Sequence, residues 1–120
     1  MLIRERKKID SLKHKQKKIL EFAKNIGQKK VNLKIDHQLS PVSWHLLHCV
    51  FIEALWIRSK FLQDDYYKNK LESIADPSKV PLNKRNNYSL EYCELIIFTT
   101  NIFKENIVLI KKISKIKESY

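Results

Sequence analysis

Apolar side chains recur every three or four positions along three stretches of the chain, with polar side chains between them. This spacing is typical of amphipathic helices, which bury one face. It predicts helices over about 4–26, 41–62 and 89–117. One glycine and three prolines supply little of the turn chemistry that a sheet of many hairpins requires. We therefore predict a single all-α domain spanning residues 1–120.

The signals at the helix ends refine these boundaries. Gly27 follows the last apolar residue of the first helix and predicts a stop there, because glycine readily adopts the left-handed conformation that closes helices. Ser40 and Pro41 are the preferred pair for an N-cap and a first helical position. Residues 63–88 are polar and contain two prolines, which predicts a long crossover loop with room for one short helical turn near 67–74.

The second helix is the most apolar segment, and its apolar stripe is wide enough to pack on more than one neighbour. Three helices with wide apolar faces leave a groove where a four-helix bundle would place its fourth member. That fourth helix would begin where these 120 residues end. We therefore expect a protein partner, or a second copy of the chain, to cover the groove.

Positive charge is concentrated near the N-terminus. Of the net charge of +11, residues 1–34 contribute +9, from 12 Lys/Arg and 3 Asp/Glu. Such an excess is typical of surfaces that bind nucleic acid or anionic lipid. However, lysine outnumbers arginine 20 to 4, and arginine is the better reader of phosphates and bases. Nucleic-acid binding therefore ranks third among the functions considered.

The sequence predicts a cytoplasmic protein. No apolar run approaches the roughly 20 residues that span a bilayer, and the N-terminus lacks the apolar core of a signal peptide. Cys49 and Cys93 are far apart, and in a reducing compartment we expect them to be small core residues rather than a disulfide. With one glycine, the chain cannot form a P-loop, a G-x-S-x-G elbow or a G-x-G-x-x-G turn.

Two histidines lie one turn apart on the second helix. His48 falls on the apolar stripe, and His45 precedes it by three positions, so both rings could reach a common point. A buried imidazole needs partners for its ring nitrogens, either as a satisfied core side chain or as a metal ligand. Spacing favours the first, because a metal site needs about three protein ligands and no H-x-x-x-H or E-x-x-H is present. His14 and His37 are expected to be solvated.

Residues 40–57 read S-P-V-S-W-H-L-L-H-C-V-F-I-E-A-L-W-I and resemble the N-terminal DinB-like domain of the ergothioneine-synthase family, the non-haem iron sulfoxide synthases. The helix of that family opens with S-P and W-[HD]-L-x-H, then continues with an acidic residue and a Leu-Trp pair. The matching positions are Ser40, Pro41, Trp44, His45, Leu46, His48, Glu53, Leu55 and Trp56. Weaker similarity covers most of the chain. The resemblance implies three helices of a DinB-like four-helix bundle, with Ser40, Pro41, Trp44, Glu53 and Trp56 as structural positions of the motif.

The resemblance also implies a metal ligand. In that family the second histidine of W-x-L-x-H is one of three iron ligands, which makes His48 the candidate Fe(II) ligand and His45 the weaker one. The other two ligands come from an H-x-x-x-H pair on the next helix, which this sequence lacks. The C-terminal domain that completes the family's active site is also outside it. We therefore expect a truncated domain that is not a competent enzyme alone and holds Fe(II) only with ligands from a partner.

The sequence leaves three functions open. The first is an N-terminal fragment or partner subunit of an iron-dependent sulfoxide-synthase-like protein. The second is a non-enzymatic helical module that docks a partner helix or self-associates through its apolar groove. The third is a lysine-rich binder of nucleic acid or an anionic surface.

Overall fold

A computed structural model describes residues 3–34, 39–85 and 91–118, and within these ranges the regular structure is helical. The long helices are α1 (Ile3–Ile26), α2 (Val42–Glu53) and α4 (Tyr92–Glu118), with a shorter α3 (Tyr66–Ala75) between the last two. A π-helix, the π segment (Ala54–Phe61), continues directly from α2, and one 3₁₀ turn covers Leu82–Lys84. The all-α prediction is confirmed for the described residues.

The central place predicted for the second helix is also confirmed. α2 packs against α1, α3 and α4, whereas α1 packs against α2 and α4. Its buried side chains include Leu46, Leu47 and Val50, none of which is exposed to solvent. α1 and α4 run side by side in opposite directions, so α1, α2 and α4 enclose the core and α3 covers one further side of α2.

The loop predicted over 63–88 is interrupted in its first half, where the short helical turn predicted near 67–74 is part of a ten-residue helix, α3. Leu71 and Ala75 are buried against α2, and Tyr67 and Ile74 pack on the same core. These four residues lie at helical spacing, but charged and amide residues separate them, so the sequence predicted only a short turn here. The described part of the chain therefore holds four helices rather than three. Residues 86–88 of the predicted loop lie outside the described residues.

The end of α1 follows the prediction. Gly27 adopts φ 80°, and its amide donates to the Ala23 carbonyl at 3.0 Å. Any side chain at this position would strain the left-handed backbone, so the lone glycine of the sequence serves as the helix stop.

The start of α2 differs from the prediction by one residue. The amides of Trp44 and His45 both donate to the Pro41 carbonyl, so Pro41 rather than Ser40 is the N-cap. The Ser40 hydroxyl instead accepts a hydrogen bond from the Arg85 guanidinium at 3.3 Å. Proline favours this cap because its fixed φ suits the helix entry and it has no amide hydrogen to satisfy.

Candidate functional site

His48 is held rigidly at the end of α3. Its ring stacks on the indole of Trp44 with centroids 5.1 Å apart and planes 6° apart. Its Nδ1 lies 2.9 Å from the carbonyl oxygen of Ala75. Because a carbonyl only accepts, Nδ1 must carry the hydrogen, and in the neutral ring the lone pair is left on Nε2.

The two aromatic side chains of α2 together cap α3. The last carbonyls of any helix lack partners within it. Here Trp44 Nε1 donates to the Ile74 carbonyl at 2.8 Å, and His48 donates to the next one, that of Ala75. Trp44 is only 2% exposed, so its indole joins α2 to α3 from within the core. These contacts give His48 a structural role whether or not it also binds a ligand.

His45 lies on the outer side of the same indole. Its ring meets Trp44 edge-on, with centroids 5.4 Å apart, and the side chain is exposed. Partial burial lowers the pKa of His45, and the nearby His48 and Arg85 lower it further. The Arg85 guanidinium also stacks on Trp44, 4.1 Å from the ring centroid. The structure therefore brings both predicted histidines to one indole.

No further metal-binding side chain joins them in the described ranges, where no three His, Cys, Asp or Glu residues are placed to hold a metal ion together. His14 is exposed on α1, as predicted. His37 lies outside the described residues. The assignment of His48 as an Fe(II) ligand therefore stays a prediction, and His45 stays the weaker candidate.

An apolar groove runs between α1 and α2, and we call it the α1/α2 groove. It encloses about 440 Å³ and is lined by Leu12, Lys15, Gln16, Ile19, His48, Cys49, Ile52, Glu53 and Phe103. Phe103 of α4 forms its floor. Ile52 of the lining is 37% exposed. Two further large apolar side chains follow lining residues at helical spacing: Phe22, three positions after Ile19, is 56% exposed, and Trp56, four positions after Ile52, is 57% exposed.

A polar network lies beneath this groove, and the sequence reading missed it. Glu53 Oε1 accepts hydrogen bonds from Gln16 Nε2 at 2.8 Å and from Asn106 Nδ2 at 3.0 Å. The Gln16 amide also donates to the Phe103 carbonyl at 3.3 Å. Burial raises the pKa of Glu53, although both amide hydrogen bonds and the nearby Arg58 act to lower it. This carboxylate therefore joins α1, α2 and α4 at one point.

The π segment brings Arg58 into the same network. Arg58 is 7% exposed; its Nε donates to Asn106 Oδ1 at 2.9 Å and its Nη2 to Glu105 Oε2 at 3.0 Å. The guanidinium also lies over the ring of Tyr67, 4.8 Å from its centroid. The wider turn of a π-helix changes which residues share a face, and such segments are frequent at functional sites. A signal was present in the sequence: Gln16, Arg58 and Asn106 are polar residues on apolar faces.

These observations define a helical domain in which α2 is central and one side of it, toward α1, is an open apolar groove. None of the described helices is long and apolar enough to cross a membrane. Comparison with protein-family models, curated proteins and solved structures finds no match to the chain. The DinB-like relationship therefore stays a prediction from the sequence.

Proposed function

We propose that this chain is a helix-docking domain whose α1/α2 groove receives one further helix. In this proposal the added helix completes a DinB-like four-helix bundle with α1, α2 and α4, and α3 lies outside that bundle against α2. The added helix comes from another part of a longer polypeptide or from a partner subunit of an iron-dependent sulfoxide-synthase-like protein. The observation that carries the proposal is the groove itself: Ile52 of its lining is exposed, and Phe22 and Trp56 are exposed on the two helical segments that form its walls.

The shape and chemistry of the groove favour a helix as its occupant. Its two walls are helices and its floor is the buried Phe103, which is the setting of helix-in-groove recognition. The lining offers few partners for backbone polar groups, and a helix satisfies those groups within itself. Fully burying one large apolar side chain contributes about 1.5–3 kcal/mol, so covering three partly exposed ones supports a stable contact.

The orientation of His48 supports the metal part of the proposal. Histidines that bind metals commonly donate their other ring nitrogen to a backbone carbonyl or carboxylate, which fixes the ring. His48 makes this contact with Ala75 and also lines the α1/α2 groove. A docked helix would have to bring at least two further ligands, since one imidazole does not retain Fe(II).

The docking step is tested by cross-linking in cells. The photoreactive amino acid p-benzoyl-phenylalanine is placed at Ile52 in the groove or, as the control, at Val108 on α4. Val108 is the more exposed of the two, at 51% against 37%, so random collisions favour the control. We expect irradiation to join position 52, and not 108, to an amphipathic helical segment outside residues 1–120.

Two outcomes would contradict the docking proposal. Equal cross-linking at both positions would show that the groove has no preferred occupant. Cross-links from position 52 to a second copy of this chain would show self-association instead of a partner helix.

The metal step is tested separately, on the complex with the cross-linked partner segment. Iron content is measured after loading with Fe(II) under anaerobic conditions. His48→Ala should lose the bound iron, whereas His14→Ala, on the exposed face of α1, should retain it. Equal iron content in the two variants would remove the ligand assignment and leave a docking module without a metal.

A further inference from the structure

A second groove lies between α1 and α4. It shares the lining residues Gln16 and Phe103 with the α1/α2 groove, and we call it the α1/α4 groove. It encloses about 450 Å³. Its apolar floor is formed by Leu20, Phe103 and Ile107, and lysines stand along both rims. The rim lysines are Lys13, Lys17, Lys24 and Lys104, and Glu21 is the carboxylate among the lining residues.

We propose that the α1/α4 groove binds a single-chain anionic amphiphile of the long-chain fatty-acid class. The aliphatic chain would lie on the floor of Leu20, Phe103 and Ile107. The carboxylate would contact two rim lysines, Lys13 and Lys104. Apart from the shared Gln16 and Phe103, the lining residues differ from those of the α1/α2 groove, and the proposal does not depend on helix docking there.

The charges along the groove are uneven, which gives the ligand a direction. Glu21 pairs with Lys17 at 3.9 Å and lies toward the Lys24 end of the groove. At the other end, Lys13 lies close to Lys111 of α4, and its positive charge lowers the pKa of Lys111 more than the nearby Asp10 carboxylate raises it. Like charges held this close repel each other, and a bound anion relieves the repulsion. The carboxylate of the fatty acid is therefore expected at the Lys13 end of the groove.

The exposure of the floor residues indicates which kind of ligand the groove could hold. Phe103 and Ile107 are only 2% and 7% exposed, so little of the apolar surface of the floor is open to solvent. A docking helix would gain little area from it, and a nucleic acid would find no exposed aromatic ring for base stacking. A single aliphatic chain needs less apolar area than a helix, and the volume is within the roughly 300–1,000 Å³ of small-molecule sites.

The proposal is tested with the full chain and a fluorescent fatty acid, dansyl-undecanoic acid, displaced by oleate or by oleyl alcohol. We expect one probe per chain, displaced by oleate far better than by the alcohol, with affinity that falls as salt is raised. Lys13→Gln combined with Lys104→Gln should weaken binding on the order of tenfold, because two lysine contacts are lost. The matched control, Lys18→Gln with Lys60→Gln, removes two exposed lysines outside the groove and should leave affinity unchanged.

A second pair of variants tests the floor. Thr100→Trp fills the groove and should abolish binding, whereas Ile97→Trp, at a position 60% exposed on the same helix, should not. Circular dichroism confirms that each variant is folded. Equal weakening by the two lysine pairs would overturn the proposal, because it would show general attraction to a basic protein. Loss of binding in Ile52→Glu would also overturn it, because the probe would then lie in the α1/α2 groove.

Discussion

Glu53 is the residue on which three helices depend, because its carboxylate accepts from Gln16 of α1 and Asn106 of α4 while it stands on α2. A buried polar group is stable only when its hydrogen bonds are made, and a missing partner costs about 1–3 kcal/mol. Polar networks of this kind specify one arrangement of neighbouring helices when every member is satisfied. Glu53 therefore fixes how α1, α2 and α4 pack as well as lining the α1/α2 groove.

The raised pKa of Glu53 predicts a pH-dependent stability. The folded state takes up the Glu53 proton at a higher pH than the unfolded chain does. The free energy of unfolding should therefore increase as pH falls from neutral through the raised pKa, until pH is below the ordinary glutamate value. Glu53→Gln keeps an oxygen that accepts hydrogen bonds from both amides, but it has no proton to gain. The pH-dependent contribution of Glu53 to the free energy of unfolding should therefore disappear.

The measurement is urea unfolding of both proteins across the acidic to neutral range. The control is Glu94→Gln, which removes an exposed carboxylate on α4 and should keep the wild-type pH dependence. A Glu53→Gln profile parallel to that of the wild type would contradict the burial of this carboxylate.

At the scale of elements, α3 is attached to the rest of the molecule mainly through α2 and the π segment. Trp44→Phe removes the donor to the Ile74 carbonyl and reduces the stacking with His48. The lost hydrogen bond alone should cost about 1–3 kcal/mol, and amide exchange should quicken first in α3.

The comparison variant for α3 is Trp56→Phe. Trp56 is 57% exposed, so its substitution should change the stability by less than about 0.5 kcal/mol. Chemical unfolding followed by circular dichroism measures both. Similar losses in the two tryptophan variants would show that the indole of Trp44 does not anchor α3.

The elements that the sequence predicted are those with uninterrupted apolar spacing. α1, α2 and α4 could be read from their stripes, and Gly27 marked one boundary. α3 was predicted only as a short turn near 67–74, because its few apolar residues are diluted by polar ones and its full length depends on contacts with α2. The π segment could not be predicted; within it Arg58 donates to Asn106 and Glu105 of α4, residues that are distant in the sequence.

The candidate site was predictable in part, because some of its residues lie close together in the sequence and others do not. The segment around Trp44, His45 and His48 was visible in the sequence, and the structure gathers all three. The acceptor for His48 is the Ala75 carbonyl, and a backbone atom on a distant helix leaves no mark in the sequence. The Glu53 network includes hydrogen bonds between residues as far as 87 positions apart, which local spacing does not relate.

At the scale of the whole molecule, the α1/α2 groove should face solvent in the isolated chain. Ile52→Glu should therefore change the free energy of unfolding by less than about 1 kcal/mol, as at ordinary surface positions. Ile102→Glu, which buries a carboxylate at a position 2% exposed, should unfold the domain. A large loss of stability in Ile52→Glu, measured by chemical unfolding, would show that the groove belongs to the closed core.

The docking of a helix in this groove is tested most directly by the two cysteines. Cys49 lines the α1/α2 groove, whereas Cys93 is exposed on α4 and serves as the internal control. Burial and the nearby Glu53 raise the pKa of Cys49, so its alkylation is slow and its rate must be compared between two states of the same protein. Mass spectrometry measures labelling by N-ethylmaleimide in two states, the purified chain and the protein in intact cells. We predict that Cys93 labels alike in both states while Cys49 is protected only in cells; equal labelling of Cys49 in the two states would contradict an occupied groove.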